Sequence, residues 1–561
     1  MSESFQTLSR MHVVLSYLSR LACDTRTVKR SRAQAAGSRR YRFVIKCFRI
    51  VLEFIGKIVC WVKYRNDPHI TLPPIKDPIL LEPAHSLAAK IRTQTLTSVQ
   101  VVKAFIARIQ EINPILNCMV DERFTEALKE AEAADQLIKM SSIETLAQTK
   151  PFLGVPFSTK DILAVKGLKH VSGLWVRRNI VAEEDAGGVA LMRKAGAIPM
   201  CVTNCPELGM WWESYNTVYG RTNNPYKTCR ISGGSSGGEA VLQSSCGAPF
   251  GIGSDIGGSI RMPSFFNGIF GHKPTFGIVS NSGSEPQATG EANDFLVTGP
   301  MCRNAADLTP MFKILAGDNV QMLKLDQKVD ISKLRYFYIE DDGGNVLVTP
   351  MHPELRAAQL KIVDYLNKAY GIKAKKIKMK KLRGALDIYL AKLGSIKEAP
   401  KFCEELALRN GKVNIWLEFV KWLFCLSYNT WPSIALGIME ELTKDSETVK
   451  ARNEKLVHKC AELRNDFKEL LGDDGVLLFP SHPTPAPYHT QPLFRPFNFI
   501  YTAIINVLKL PSTQCPLGLG TDGVPLGIQI IANHYQDHLS LAVAQELEKA
   551  FGGWVSPSRV R

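Results

Sequence analysis

The chain has 561 residues, a formal net charge of +16, 45% hydrophobic residues and 22% charged residues. These are globular values, so wholesale disorder and fibrous or collagen-like classes are excluded, and the length suffices for one large enzyme domain with appendages. Residues 1–65 contain 14 Lys and Arg but only 3 acidic residues. Such a basic arm favours an anionic membrane surface as partner over nucleic acid, whose binders usually spread basic residues over a folded face.

The segment from Phe43 to Val62 is rich in large apolar residues but also carries charges at steps of three and four. These are Arg42, Lys46, Arg49, Glu53 and Lys57. On a helix they form one stripe, and a helix lying in the membrane interface fits this pattern better than a spanning one. We expect the basic residues to face lipid headgroups, on a cytosol-facing intracellular membrane or lipid droplet. For this helix, an imperfect span and packing against the protein's own body stay open alternatives. For the Arg-rich, acid-poor start of the chain, a mitochondrial presequence stays open.

Three regions follow from the composition: a basic arm with the membrane-associating helix at 1–66, a Pro-rich linker at 67–83, and an enzyme domain at 84–554. An apolar repeat predicts a helix from Ser98 to Asn113, and an Ala- and Glu-rich stretch predicts a second from Glu122 to Met140. From Phe152 onward, short apolar runs alternate with Gly- and Ser-rich turns and helical segments. This alternation is typical of an α/β domain.

An apolar run, a lysine-dense stretch and 13 scattered cysteines lie outside the motifs. The apolar run from Ile415 to Leu426 is too short to cross a bilayer, which leaves a core helix or a second membrane-dipping face. The lysine-dense stretch from Lys373 to Lys381 predicts an exposed edge strand guarded by its charges. The 13 cysteines are scattered without metal-binding spacing, so we expect reduced thiols and no metal site.

Two Gly/Ser clusters carry the chemistry. The first, GGSSGG at 233–238, precedes a predicted helix at 239–245 and a buried strand at 249–254, so it is not a flexible linker. The second is DIGGSIR at 255–261. Neither contains the Gly-Lys-Ser/Thr ending or the GxGxxG pattern of phosphate-binding loops. Gly257 and Gly258 allow backbone amides to converge beside Ser259 as an oxyanion hole.

A nucleophilic serine requires a base. Histidine is the usual one, and His272 lies near the second cluster, but no GxSxG turn or Ser, acid and His order accompanies it. Lys160 ends an apolar strand, where burial would favour its neutral form. Spacing alone does not single Lys160 out among the many lysines.

Three motifs in this order resemble the amidase signature family. They are GVPFSTKD at 154–161, GGSSGG at 233–238 and DIGGSIR at 255–261, and the similarity continues through GHKP at 271–274 and beyond residue 510. It covers most of Ala84 to Trp554. The resemblance implies a single α/β/α domain built around a large mixed central sheet.

The resemblance also implies roles for particular residues. Lys160 would be the base, Ser235 the proton relay and Ser259 the nucleophile that forms an acyl-enzyme. The backbone amides of the loop bearing Ser259 would bind the oxyanion, namely those of Ile256, Gly257, Gly258 and Ser259. The family also places a substrate-contacting backbone at Gly209. Neither a metal nor an organic cofactor is expected.

The bond to be cleaved is then a carboxylic amide, and the membrane-seeking segments favour a lipid amide, such as a fatty-acid amide, as the substrate. A glutamine-amide or other small-amide hydrolase is the alternative within the family. A noncatalytic membrane-bound lipid-binding protein is the alternative of another class. A homodimer stays open, and no nucleic-acid partner is expected.

Overall fold

The computed structural model describes residues 32–66, 70–288, 290–396, 400–442 and 447–561. Most of the basic N-terminal arm, residues 1–31, therefore lies outside the described residues. The side chains of residues 32–41 are likewise not described.

Eleven strands form one mixed sheet in the order β1-β3-β2-β6-β8-β7-β12-β13-β11-β9-β10. Strands β2, β3 and β6 run parallel to one another, as do β9, β10 and β11, whereas the central pairings are antiparallel. Two further strands, β4 and β5, pair by themselves. The strands are β1 (Met119–Glu122), β2 (Pro156–Lys160), β3 (Ile198–Thr203), β4 (Tyr215–Asn216), β5 (Gly220–Arg221), β6 (Phe250–Asp255), β7 (Phe270–Lys273), β8 (Val297–Cys302), β9 (Arg335–Tyr338), β10 (Lys375–Lys376), β11 (Gly475–Phe479), β12 (Ser512–Leu519) and β13 (Pro525–Ile531).

Helices cover both faces of this sheet. The α-helices are Arg32–Tyr64, Ala84–Arg92, Ser98–Leu116, Phe124–Met140, Ile143–Thr149, Gly187–Lys194, Gly237–Ser244, Arg261–Phe266, Ala305–Ala316, Pro353–Tyr370, Ala385–Gly394, Phe402–Glu405, Ile415–Leu423, Trp431–Leu442, Glu447–Leu471, Ile500–Val507 and Asp537–Phe551. Short 3₁₀ helices span Pro78–Leu81, Trp175–Arg177, Glu207–Gly209, Gly290–Asp294, Gly317–Met322, Ile331–Lys333, Lys380–Gly384 and Gln491–Phe494.

Alternation along β11 shows how the layers are arranged. Val476 and Leu478 belong to one apolar core, with the Ser98–Leu116 and Asp537–Phe551 helices, whereas Leu477 and Phe479 belong to a second core on the opposite face. The second core includes the Ile500–Val507 helix. The predicted α/β/α arrangement around a large mixed sheet is thus confirmed.

The predicted elements around the motifs also form. The helix from Ser98 continues one turn past the expected end at Asn113 and finishes at Leu116, so Pro114 lies inside it, and Asn117 ends it in the left-handed conformation. The second predicted helix spans Phe124–Met140. At the sheet's edge, β10 exposes Lys375 and Lys376, as the lysine-dense pattern predicted.

The N-terminal helix packs against the body with its charged stripe turned partly inward. Arg49 is only 8% exposed and donates from Nε to the Val346 carbonyl at 3.0 Å and from Nη1 to Glu53 at 2.7 Å. Glu53 also accepts from Thr349 Oγ1 at 2.7 Å. The expectation that Arg49 faces lipid headgroups is therefore wrong, because its guanidinium donates hydrogen bonds to a backbone carbonyl and a carboxylate of the protein itself.

The opposite face of this helix is apolar and exposed. Its exposed large residues are Phe43, Val44, Phe48, Ile50, Val51, Phe54, Ile55, Ile58, Val59, Trp61 and Val62. On the inner side, Cys60 is buried and Tyr64 stacks on Tyr488, with ring centroids 5.4 Å apart. We call the exposed residues the N-terminal apolar face.

The Pro-rich segment that follows lies on the body. Leu72, Ile75 and Leu80 are buried in the larger core. Ile75 also exchanges backbone hydrogen bonds with Arg559 and Arg561 near the end of the chain. The backbone around Ile75 is thus extended, as the prolines predict, but three apolar side chains of this segment are part of the core.

The Ile415–Leu423 helix lies at the surface. Ile415 and Glu418 are buried and Phe419 is half-buried, whereas most of its other large residues and those after it are exposed, including Phe424 at 71%. The alternative of a core helix is therefore wrong. We call the exposed set Trp416, Leu417, Val420, Leu423, Phe424 and Leu426 the second apolar face. Within the described ranges, none of the helices combines the length and the apolar character needed to span a bilayer.

Candidate active site

Lys160 lies at the carboxyl end of β2, where parallel strands open toward a common edge of the sheet. Its side chain is fully buried. The Nζ atom is 2.6 Å from Ser235 Oγ and 3.0 Å from Ser254 Oγ. The structure thus brings together two of the three residues that the motifs single out, and it adds Ser254, to which no sequence pattern pointed.

The GGSSGG cluster forms a buried loop that leads into the Gly237–Ser244 helix. Ser236 donates its backbone N–H to the carbonyl of Ser259 at 3.1 Å, which joins this loop to the second cluster. Exposure increases from Lys160 at 0% through Ser235 at 2% to Ser259 at 6%. All three side chains are therefore shielded from bulk water.

The loop bearing Ser259 is clamped by a buried ion pair. Arg261 donates to both carboxylate oxygens of Asp255 at 3.0 Å, and both side chains are completely buried. Burial by itself would raise the pKa of Asp255, but the charge and hydrogen bonds of Arg261 hold it well below its usual range. Asn506, from a helix 251 residues further along the chain, donates to the same carboxylate at 2.9 Å. The loop is thereby fixed from two directions.

Gly258 sits at the tightest point of this loop. Its φ is +120°, and a Cβ at this position would lie 1.9 Å from Thr502 Oγ1, so only glycine fits. The Gly258 amide donates to Asp255 Oδ1 at 2.7 Å. This amide is thus engaged by the clamp, which departs from the expectation that it points at the oxyanion.

Gly209 lies next to the relay serine. A Cβ there would come within 3.3 Å of Ser235 Oγ and 2.5 Å of Ile162 Cδ1. Its neighbour Glu207 is buried and accepts from the backbone N–H of Thr430 at 2.8 Å, at the start of the Trp431–Leu442 helix. The Gly209 backbone therefore borders Ser235.

Burial sets the protonation of Lys160. It lowers the pKa of Lys160 to about 8, and the nearby carboxylates of Asp255 and Glu239 oppose this effect. At neutral pH a minor but substantial fraction of this lysine is therefore the free amine, as a base requires.

His272, the histidine nearest the second cluster in sequence, is occupied elsewhere. Its ring contacts Thr513 Oγ1 at 2.8 Å and Asp537 Oδ1 at 3.2 Å within the core. Burial lowers the pKa of His272 below its usual value. It contributes to a buried polar network between β7, β12 and the last helix.

Known proteins with a similar sequence or fold show which family the chain belongs to. The family described as Amidase matches residues 100–541. The human protein named fatty-acid amide hydrolase 2 is 44% identical over 92% of this chain and 98% of its own. Fatty-acid amide hydrolase 2-A of Danio rerio is 47% identical over 87% of this chain and 92% of its own.

A solved structure titled fatty acid amide hydrolase superposes with a TM-score of 0.68 at 24% identity, covering 87% of both chains. That likeness concerns the fold. The family match and the two relatives establish that the chain belongs to the amidase signature family. It is an amidase, an enzyme that hydrolyses carbon–nitrogen bonds of amides, and this part of the sequence prediction is confirmed.

Proposed function

We propose that this amidase hydrolyses fatty-acid amides through a Ser259 acyl-enzyme, with Ser235 as proton relay and Lys160 as base. The observation that carries the proposal is the 2.6 Å contact between Lys160 Nζ and Ser235 Oγ at the buried end of the site. In a low dielectric, such a contact supports proton transfer without competition from water.

The reaction has two steps, acylation of Ser259 and hydrolysis of the acyl-enzyme. Neutral Lys160 takes the Ser235 proton as Ser235 takes that of Ser259, and Ser259 Oγ bonds to the amide carbonyl carbon. The carbon–nitrogen bond then breaks as Ser235 gives a proton to the nitrogen and takes one from protonated Lys160, which makes the amine a competent leaving group. Water, deprotonated by the same relay, attacks the ester, and the relay returns this proton to Ser259 Oγ as the carboxylic acid leaves.

Backbone amides would stabilise the oxyanion of each tetrahedral intermediate. Because the Gly258 amide donates to Asp255, we assign this task to the amides of Ile256, Gly257 and Ser259. Gly209 would contact the substrate from the opposite side, through its backbone. No step in this scheme calls for a metal or organic cofactor.

The apolar surfaces support a lipid substrate. The N-terminal apolar face and the second apolar face each expose several large side chains, more than isolated apolar residues at an ordinary surface. We propose that both rest on a membrane from which the substrate is drawn, with Lys46 and Lys57 at the edge of the first face near anionic headgroups. The names of the two relatives, fatty-acid amide hydrolase 2 and 2-A, agree with this substrate class.

The domain boundaries stay part of the proposal: a membrane-associating region at 1–66, a connecting segment at 67–83 and the amidase domain at 84–554. The matched range, 100–541, lies within that domain.

The test offers purified full-length protein a long-chain fatty-acid amide, glutamine and a short-chain amide, with Ser259→Ala as the control for contaminating hydrolases. We expect the highest kcat/KM for the fatty-acid amide. A preference for glutamine or the short amide would favour the small-amide alternative. Absence of turnover on every amide, together with absence of labelling by a fluorophosphonate, would favour a noncatalytic binding protein.

A further inference from the structure

A buried glutamate lies behind the Lys160–Ser235 pair. Glu239 is on the Gly237–Ser244 helix, four residues after Ser235, and is fully buried. Its Oε1 atom accepts hydrogen bonds from Ser158 Oγ and, at 2.8 Å, from Gln243 Nε2. Its Oε2 atom accepts from Thr203 Oγ1 at 2.8 Å. Three donors on one carboxyl group stabilise its ionised form.

Two of these donors also flank the base. Ser158 precedes Lys160 by two residues on β2, so both side chains point to the same face of the sheet. Thr203 on β3 is the direct register partner of Lys160. The Glu239 carboxyl group is therefore held beside Lys160, and each group acts electrostatically on the other.

The neighbouring strand leaves room for this carboxyl group. A Cβ at Gly251 on β6 would lie 1.6 Å from Glu239 Oε1 and 2.7 Å from Gln243 Nε2. No larger residue fits at Gly251 while the carboxyl group keeps its place. The position of the charge is thus determined by the sheet.

The other groups that act on Lys160 are already neutral or paired. Asp255 is bound to Arg261. Burial raises the pKa of the Cys205 thiol, which keeps it uncharged. Asp161, next to Lys160 in sequence, instead accepts backbone hydrogen bonds from Val171 and Gly173. Among the described groups that influence Lys160, this leaves Glu239 as the carboxylate held by neutral donors alone.

We propose that Glu239 is a positioning residue whose carboxylate keeps Lys160 basic enough to take the proton of Ser235. This inference rests on the proposed function, in which Lys160 is the base. A lysine as deeply buried as Lys160 would otherwise become too weak a base, since the best proton acceptor has a pKa near the working pH. Burial raises the pKa of Glu239 to about 7, so Glu239 is ionised around pH 8, where Lys160 titrates.

The experiment measures kcat/KM against pH for wild type and Glu239→Gln, with a soluble chromogenic amide in detergent. On the acid side of the profile, which we call the acid limb, kcat/KM rises as Lys160 loses its proton. Removing a nearby negative charge favours the neutral form of Lys160. We expect the limb to move to lower pH, because the neutral amine is then favoured over the ammonium. The maximal rate should fall, because the weaker base accepts the proton less readily.

Asp307→Asn is the matched control, because Asp307 is also a buried carboxylate with backbone donors but lies on the Ala305–Ala316 helix, outside the site. Its acid limb should stay at the wild-type pH. Thr203→Val removes one donor to the carboxylate and should shift the limb in the same direction by less, which keeps the test open if Glu239→Gln does not fold. A limb at the wild-type pH in the folded Glu239 variant, or in Thr203→Val if only that folds, would overturn the inference.

The outcome is separable from failure of the proposed function. If Ser259→Ala retained wild-type turnover, the Ser-Ser-Lys assignment itself would fail, and this inference with it. If Ser259→Ala were inactive while the limb did not respond to Glu239, the role of Glu239 alone would be wrong.

Discussion

The Nζ atom of Lys160 lies 2.6 Å from the hydroxyl oxygen of Ser235, and neither side chain is more than 2% exposed. Transfer of the Ser235 proton along this contact requires the neutral amine. Because burial lowers the pKa of Lys160 to about 8, the fraction of neutral amine, and with it the rate, should depend on pH.

We expect kcat/KM to increase with pH and to level off above about 8, where Lys160 has lost its proton. Lys160→Ala should lower kcat at pH 7 by about 10²–10⁴-fold, the usual contribution of a positioned base, and should remove this limb. Activity in this variant should return mainly at high pH, where hydroxide assists. Undiminished activity of Lys160→Ala at pH 7 would require another base.

Ser235→Ala should leave more activity than Ser259→Ala, because a water molecule can partly replace a relay hydroxyl but not a nucleophile. The rate of labelling by a fluorophosphonate measures nucleophile activation separately from substrate binding. We expect slowed labelling in Ser235→Ala and an absence of labelling in Ser259→Ala. Equal labelling rates in Ser235→Ala and wild type would argue against a relay at this position.

Arg261→Gln should strongly destabilise the protein, since it leaves the Asp255 carboxylate buried without its cation. Breaking a buried pair in this way costs about 3–5 kcal/mol. Lys368→Gln is the control, because Lys368 pairs with Asp364 at the exposed surface, where such pairs contribute at most about 1 kcal/mol. Thermal unfolding should show a large decrease of Tm for the first variant and little change for the second. Similar Tm values for both would contradict the clamp.

The N-terminal apolar face makes a prediction about membrane binding. Phe54 and Trp61 are 61% and 60% exposed, so Phe54→Ser and Trp61→Ser together should weaken vesicle binding without harming the fold. Met140→Ser, at an exposed position outside both apolar faces, is the control. Cosedimentation with anionic vesicles measures the effect, and high salt should release wild type only partly because apolar burial is not screened. Unchanged binding of the double variant would shift the contact to the second apolar face.

Deleting residues 1–65 is a less clean test than the surface substitutions. Cys60 and Tyr64 are in contact with the body through their inner face, and Arg49 is bound to the Val346 carbonyl. Removing the helix would therefore uncover a part of the protein that is normally covered. Loss of activity in such a deletion would not separate membrane binding from folding.

The sequence predicted the elements that carry the motifs because each motif is local. The apolar run before Lys160 and the helix after Ser235 follow from patterns within a few residues. Local patterns of this kind do not predict contacts between segments that are distant in the sequence. Asn506 reaches Asp255 from 251 residues away, and no local signal connects the two.

The orientation of the N-terminal helix could not be predicted from its charge pattern alone. A stripe of charges identifies one side of a helix, but that side can face either solvent or polar groups of the protein itself. Arg49 and Glu53 face polar groups of the protein, because the Val346 carbonyl and the Thr349 hydroxyl are their hydrogen-bond partners. The identity of those partners depends on the tertiary fold.

Mass spectrometry of the protein after reaction with a fluorophosphonate tests directly whether Ser259 is the nucleophile that forms the acyl-enzyme. After proteolysis, we expect one modified active-site peptide with the phosphonyl group on Ser259. In Ser259→Ala, both this modification and amide hydrolysis should be lost. Modification of another serine in the wild-type protein, or persistent amide hydrolysis in Ser259→Ala, would contradict this assignment.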